Sequence, residues 1–439
     1  MNSLTKALKR AKFGANRCSF ATISAQKQQE RRKKVREWHI LRYGTLDELV
    51  YRDDSKKPQI KEANEVMIKV NAASVNPIDV AMIRGYGSNF LNLTRKLVNN
   101  TEFPLGRCCS WSNDKKNSKN SHFKLVVGRD FVGEVVQKGM NVPEREARVG
   151  QQVWGVMPVH KQGCHRDFIV LNKNYLTEKP SNLPDTDVTG FLYAGMTAWS
   201  GIYVSGNLGG PFGIAGSGGG KGKKVLVLGA SGGVGSIATQ ILLAEGANVT
   251  VTCSSDALPF VQSLGNIPNI VDYKSPHYEQ DLKSMGTFDL VLDCAGKGPD
   301  HAKDLPCPFY TYVTFSSPTL RNTDEMGLIA GNVKNLADLI KSNVEAIGAK
   351  KGIVKWAYFL PAPQGLTYLR KLVNEGRLSS VTTAIFPFEK ADLAYKRVEE
   401  RHLRGKVVLD FTGKTIEPQL TDFYFKENAS EVENENQKQ

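Results

Sequence analysis

The chain has 439 residues and a mass of 48.4 kDa, long for one compact core and comfortable for two domains. Its 41% hydrophobic and 23% charged residues exclude a fibrous or wholly disordered chain. Seven cysteines without a CxxC pair exclude a disulfide scaffold and a zinc ribbon, and they fit a reducing compartment. The net charge of +14 is concentrated at the start, where residues 1–36 hold eleven Lys/Arg against one acid, Glu30. A nucleic-acid-binding domain would carry its excess on the folded part, so no nucleic-acid partner is expected.

Residues 1–36 have Leu4, Leu8 and Ala11 at helical spacing, interleaved with Lys6, Lys9 and Arg10. An acid-poor, Arg- and Ser-containing amphipathic leader has the pattern of a mitochondrial transit peptide, cleaved before a first strand near Glu37. The alternative is a disordered basic arm. The uncharged runs 188–220 and 225–244 are long enough for a membrane span but are broken by Gly, Ser and Thr, so none is expected.

Between Trp38 and about Lys179, short Val/Ile/aromatic stretches at 65–71, 131–137, 152–157 and 167–171 read as strands of a barrel-like unit. A polar stretch, 107–122, interrupts it and reads as a surface loop or insertion. From about Pro184, strands and helices alternate: 224–228 then 235–245, 248–253 then 256–264, then 288–293. That βαβαβ order calls for a parallel sheet covered on both faces. Residues 206–222 contain nine glycines and read as a flexible connection. After Leu378 the chain returns to strand at 380–388, helix at 390–401 and strand at 406–411, and 413–439 read as a flexible tail.

The most informative segment is KKVLVLGASGGVGSIATQILLAEGANVTVTCSS, 223–255. A buried strand runs into Gly229, Ala230, Ser231, Gly232, Gly233, Val234 and Gly235, and a helix follows. Glycines there let the backbone approach a pyrophosphate, which the N–H groups at the helix start then bind. The second strand ends in Ser254 and Ser255, where an NAD enzyme typically presents an acid to the ribose. With Tyr273 and Lys274 nearby as a ring and a cation, NADPH is the expected cofactor. Asp256 is read as a cap of the next helix.

AASVNPIDVAMIRGYG (72–87), GRDFVGEVVQKG (128–139), VGQQVWGV (149–156), YAGMTAWSGI (193–202), the glycine motif, FDLVLDCAG (288–296) and FPFEKADLAYKRVEERHLRGKVVLDF (386–411) follow one another in family order. Together they resemble a zinc-free medium-chain dehydrogenase/reductase of the quinone-oxidoreductase branch, over roughly residues 37–412. The resemblance implies an α/β fold: a GroES-like β-barrel catalytic domain (37–183 and 379–412) with a Rossmann doubly wound parallel-sheet domain (184–378) inserted. It implies cofactor contacts at Ser231, Gly232, Gly233 and Val234, at Ser254, Tyr273 and Lys274, at Phe315, Phe359 and Leu360, and at Arg404, Gly405 and Lys406. It also implies a matrix enzyme acting on a quinone or enone, partners in ubiquinone biosynthesis or a reticulon, and a homodimer joined through Rossmann-domain edges.

Zinc-dependent relatives place Cys and His where this chain has Asn76-Pro77 and Gly128-Arg129-Asp130, so no metal is expected. Cys108-Cys109 and the group His160, Cys164 and His165 are poor substitutes. Without a Lewis acid, reduction relies on hydride delivery and hydrogen bonding to the oxygen that gains charge. Tyr86 is the candidate proton donor, or else a packed surface aromatic. Asn76 either orients substrate or cofactor amide or makes a turn bond before Pro77. Two other functions remain open: a 2-enoyl thioester reductase, and a non-catalytic NADPH-binding interaction protein.

Overall fold

The computed structural model describes residues 34–98, 123–210 and 218–420. The expected leader before Lys34, the insertion at 107–122 and part of the glycine-rich connection therefore lie outside the described residues.

The chain opens on a small antiparallel sheet, β1 (Lys34–Ile40) between β2 (Val50–Lys56) and β4 (Leu125–Val126). The expected leader boundary at 36 falls inside β1. Arg36 donates through its backbone N–H and guanidinium to Asp167, pairs with Glu389, and reaches the Phe411 carbonyl at 3.1 Å.

The larger layer, antiparallel except where β15 and β16 pair in parallel, is built on β3 (Glu65–Val75), which pairs with β5 (Asp130–Lys138), β7 (Phe168–Asn172) and β16 (Lys406–Asp410). Beyond β5 lie β6 (Gln152–Val156) and β8 (Leu176–Glu178); beyond β16 lie β15 (Thr382–Pro387) and β17 (Gln419–Leu420). Strands from both ends of the chain thus share one sheet, with Val407 opposite Val75. Residues 413–420 of the expected tail are held to this layer, because Thr415 donates to Asp410 at 2.8 Å and β17 pairs with β15, and 421–439 lie outside the described residues.

Among the described residues, the second layer is a six-stranded parallel sheet. Its order is β11 (Asn269–Asp272), β10 (Asn248–Cys253), β9 (Lys224–Leu228), β12 (Phe288–Asp293), β13 (Phe309–Thr314), β14 (Ile353–Trp356). Apolar residues fill β9 because both faces are covered. Val225 and Val227 join one core, whereas Leu226 and Leu228 join another. On the first face lie α4 (Gly233–Ala244) and α7 (Pro363–Asn374), and on the second α6 (Leu328–Lys350), which contributes Ala346.

Two further helices, α1 (Pro77–Ile83) and α2 (Ser88–Val98), follow β3, and α5 (Thr319–Met326) follows β13. The two layers meet on α3 (Asp185–Trp199), which is apolar almost all round. A helix of that composition must be buried. It packs on β3, β5 and β16 from one side and on α4 and α7 from the other. The chain then widens into a π turn at Ser200–Ser205.

Candidate cofactor and active site

The glycine turn sits where β9 meets α4. Gly229 has φ +78°, and its N–H donates to the Thr252 hydroxyl at 3.1 Å. A Cβ on Gly235 would lie 2.1 Å from the Gly229 carbonyl oxygen, so only glycine allows the helix so close to the strand. Ser231, Gly232, Gly233 and Val234 remain half-exposed at the helix start. Backbone N–H groups in a first helical turn lack intrahelical acceptors, and the helix dipole favours an anion there. This cradle fits a pyrophosphate.

The RGK segment meets the same turn. Gly405 donates its N–H to the Ser231 carbonyl at 2.9 Å, and Gly232 and Gly405 form a parallel bridge. Gly405 has φ +74°, and a Cβ there would lie 2.2 Å from the Val381 carbonyl oxygen. The β16 end of the other layer therefore clasps the glycine turn.

At the tip of β10, Ser254 is buried, while Tyr273 and Lys274 emerge from the end of β11. Asp256 accepts from the Arg404 guanidinium at 2.5 Å and lies 3.7 Å from the Lys274 ammonium. This corrects the capping expectation for Asp256: the residues after Ser254 form a single tight turn, and the carboxylate is drawn to the cations. Burial pushes its pKa up, but hydrogen bonds from Ser254 and Arg404 outweigh that and hold it below the ordinary range. Two cations, a hydroxyl and an aromatic ring fit a 2′-phosphate, with Asp256 as the group it would have to displace.

Tyr86 occupies the turn between α1 and α2. Its hydroxyl has no hydrogen-bond partner among the described residues. Burial, then the neighbouring Tyr358 and Asp324, raise its pKa, so the proton is retained near neutrality. Facing it from the other layer are Tyr193, stacked on Phe359 with centroids 4.3 Å apart, and Tyr358, bonded to Thr319 at 2.6 Å. Asp324 on α5 ties the two layers together here, accepting from the Gly87 N–H at 2.6 Å and the Asn89 N–H at 3.0 Å. Phe315 packs over the π turn, 2.3 Å from where a Gly201 Cβ would sit, and Leu360 is exposed at the rim.

Asn76 does not face an open cleft. It is 1% exposed, donates to the Ser74 hydroxyl at 3.0 Å, and accepts from the Lys406 ammonium. Asp79 accepts the Asn76 backbone N–H at 2.9 Å, closing the start of α1 as the N-x-x-D spacing requires. Lys406 lays its stem against Gly233 but points its ammonium into this network rather than at the glycine turn. Asp130 accepts from Ser74 twice and from the Tyr193 N–H at 3.0 Å. Burial raises its carboxyl, opposed first by Lys406.

Burial also lifts Asp79 to about 7, against the pull of Arg129. Arg129 donates to the carbonyls of Pro158 and Lys161. Tyr193, Tyr358, Asp324 and this buried charge group escaped the sequence reading. Asp79, Arg129 and Asp130 left a local signal in NPID and GRDF, and Tyr193 opens YAGMTAWSGI, but Asp324 left none.

The chain matches the family described as alcohol dehydrogenase GroES-like domain over residues 62–198, and that described as zinc-binding dehydrogenase over 267–409. The donor set does not fit zinc. The Asn76 amide is already bonded at both ends, Cys164 donates to the Asp130 carbonyl, and both His165 nitrogens are engaged, by Ser74 and Tyr395.

In fold, the chain resembles the quinone oxidoreductase of Coxiella burnetii, with a TM-score of 0.62 and 22% identity over 86% of this chain and 99% of that one. In sequence it is 40% identical to the Drosophila melanogaster mitochondrial NAD(P)H oxidoreductase RTN4IP1, over 87% of each chain. It is 29% identical to the Caenorhabditis elegans mitochondrial reticulon-4-interacting protein 1, over 81% of this chain and 90% of that one. The chain therefore belongs to the family of mitochondrial NAD(P)H oxidoreductases named RTN4IP1, among the medium-chain dehydrogenases/reductases.

Proposed function

We propose that this chain is a mitochondrial-matrix, NADPH-dependent reductase that passes hydride, without zinc, to a quinone-like or conjugated carbonyl acceptor in ubiquinone biosynthesis. The observation that carries the reading is the convergence, on one junction, of an open helix start, a cationic cluster beside Ser254 and an unpartnered tyrosine hydroxyl. The mitochondrial names of the relatives support the compartment, and the C. elegans name supports a reticulon as a partner.

In this reading Ser231, Gly232, Gly233 and Val234 hold the pyrophosphate, while Ser254, Tyr273, Lys274 and Arg404 hold the 2′-phosphate. The bound dihydronicotinamide supplies the hydride. Phe315, Phe359 and Leu360 line the path to the junction, with Tyr193 backing Phe359 as a flat wall for a planar acceptor. Tyr86 donates its hydroxyl proton to the oxygen that gains negative charge, and solvent restores it. Its raised pKa means that it delivers the proton only as charge develops. Asn76 and Lys406 act beneath the site, holding β3 and β16 in register.

The test is NADPH-driven reduction of short-chain quinones by the purified chain and its Tyr86→Phe variant. The variant is expected to lose about 10²- to 10⁴-fold in kcat with NADPH affinity unchanged. Saturation of an enoyl thioester in place of quinone reduction would make the chain the 2-enoyl reductase. NADPH binding without turnover of either acceptor would make it the non-catalytic interaction protein.

A further inference from the structure

Helix α2 starts immediately after Tyr86 and Gly87, and it cannot cap itself. The residue before its first turn is Gly87, which has no side chain, and that turn contains no acid. Gly87 has φ +74°, and a Cβ there would lie 3.0 Å from Leu320 on α5. A residue with its own capping oxygen is therefore disfavoured at this position. The missing acceptor comes from the parallel-sheet layer. Asp324 on α5 accepts the Gly87 N–H at 2.6 Å through one carboxylate oxygen and the Asn89 N–H at 3.0 Å through the other. Asn89 in turn donates its side-chain amide to the carbonyls of Thr323 and Asp324, at 3.2 and 3.1 Å.

Helix α5 is itself pinned within the parallel-sheet layer. Asn322 is buried and donates to Asn335 and Asp338 of α6, at 2.8 and 2.9 Å, while Asn335 donates to the Thr319 carbonyl. One short helix thus grips in two directions, Asn322 inward and Asp324 across the junction. The turn that carries Tyr86 has Gly85 and Gly87 on either side, both at positive φ. Two glycines give it little stiffness of its own, so its placement depends on what holds α2.

We infer that Asp324 is a positioning residue for Tyr86: by capping α2 from the other layer, it holds the tyrosine hydroxyl at the acceptor while the two layers are engaged. The inference rests on the reading of Tyr86 as the proton donor. Asp324 acts on that hydroxyl through charge as well as position. The titratable groups around it are Tyr358, Asp324 and Arg321 from the parallel-sheet layer and Tyr193 from α3. Burial, then Tyr358 and Asp324, raise its pKa, and Arg321 opposes them. Loss of the Asp324 charge therefore makes Tyr86 easier to ionise.

The test is NADPH-driven quinone reduction by the full chain, Asp324→Asn, Tyr86→Phe and the double variant, with kcat followed against pH. Asparagine keeps the size of the side chain but offers one acceptor where the carboxylate offers two. Asp324→Asn is expected to lower kcat about ten- to a hundredfold, with KM for NADPH unchanged, and to move the alkaline loss of activity to lower pH. In the Tyr86→Phe background the same substitution is expected to change kcat little, because the group it positions is gone. Asn89→Ala loosens the clasp from the exposed side of α2 and keeps the charge. It is expected to lower kcat with the alkaline limb unmoved, and it carries the test if Asp324→Asn does not fold. Wild-type kcat in Asp324→Asn, or in Asn89→Ala where that variant carries the test, overturns the inference, as does an equal loss in both Tyr86 backgrounds. Wild-type kcat in Tyr86→Phe, or a chain that reduces no acceptor, removes the proton donor and this inference together. An unimpaired Asp324→Asn beside an impaired Tyr86→Phe removes this inference alone.

Discussion

Asp256 sits where an acidic residue would favour NADH, yet its charge is spent on Arg404 and Lys274. A 2′-phosphate entering that cluster competes with Asp256 for the same donors. Arg404→Ala is therefore expected to weaken NADPH binding by about ten- to a hundredfold, the usual worth of one charge-assisted hydrogen bond, with NADH little changed. Asp256→Asn is expected to tighten NADPH. Calorimetric affinities for both nucleotides check the pair, and equal effects on the two would remove the cluster from phosphate recognition.

A second residue-scale expectation concerns Asp79, whose carboxyl is raised from 3.8 to about 7 by burial. Between those values the folded chain holds a proton that the unfolded chain has lost, so stability falls as pH rises through the window. Asp79→Asn cannot ionise. Its thermal midpoint relative to wild type is expected to be higher at pH 8 than at pH 5, and a pH-independent difference would contradict the assignment.

At the scale of elements, glycine placement decides how closely β9, α4 and β16 approach one another. Gly235→Ala would force a Cβ to 2.1 Å from the Gly229 oxygen. It is expected to cost about 1–3 kcal/mol in denaturant unfolding and to weaken NADPH by opening the turn. Lys406→Met removes the counter-charge of Asp130 and is expected to cost about 3–5 kcal/mol, because a buried carboxylate is left unpaired.

The glycine turn was legible in the sequence because a local motif makes it: strand, tight turn and helix are consecutive. The clasp by Gly405 was not, since it joins residues 174 apart through a single carbonyl, and RGK alone carries no sign of its partner. Asn76 and Lys406 are 330 residues apart, and their contact turns two separate site expectations into one buried support. Helix α6 escaped reading for a different reason. Its pattern is helical, but nothing local says that the apolar side, from Ile329 to Ile347, faces out.

At the scale of the whole molecule, the two layers are joined by α3, by the Gly405 clasp and by Asp324 on the α2 side, with the candidate site among them. The strand and helix alternation gave the parallel sheet its correct order of elements, and the return of the chain after Leu378 into β15 and β16 followed from the Val/Ile-rich ends. The small sheet at the start was harder to see, because β2 is largely exposed and charged.

That sheet is held by Arg36, through Asp167 and Glu389. Arg36→Ala is expected to lower the thermal midpoint, and a leader cut after residue 36 to lower it similarly; no change in either would show that β1 contributes nothing to stability.

The most direct measurement is calorimetric titration of the full chain with NADPH and then NADH. Tight NADPH binding at one site per chain, with NADH much weaker, is expected from an open helix start beside Ser254, Lys274 and Arg404. Equal affinity for the two, or no binding of either, would contradict the cofactor site and with it the proposed reduction.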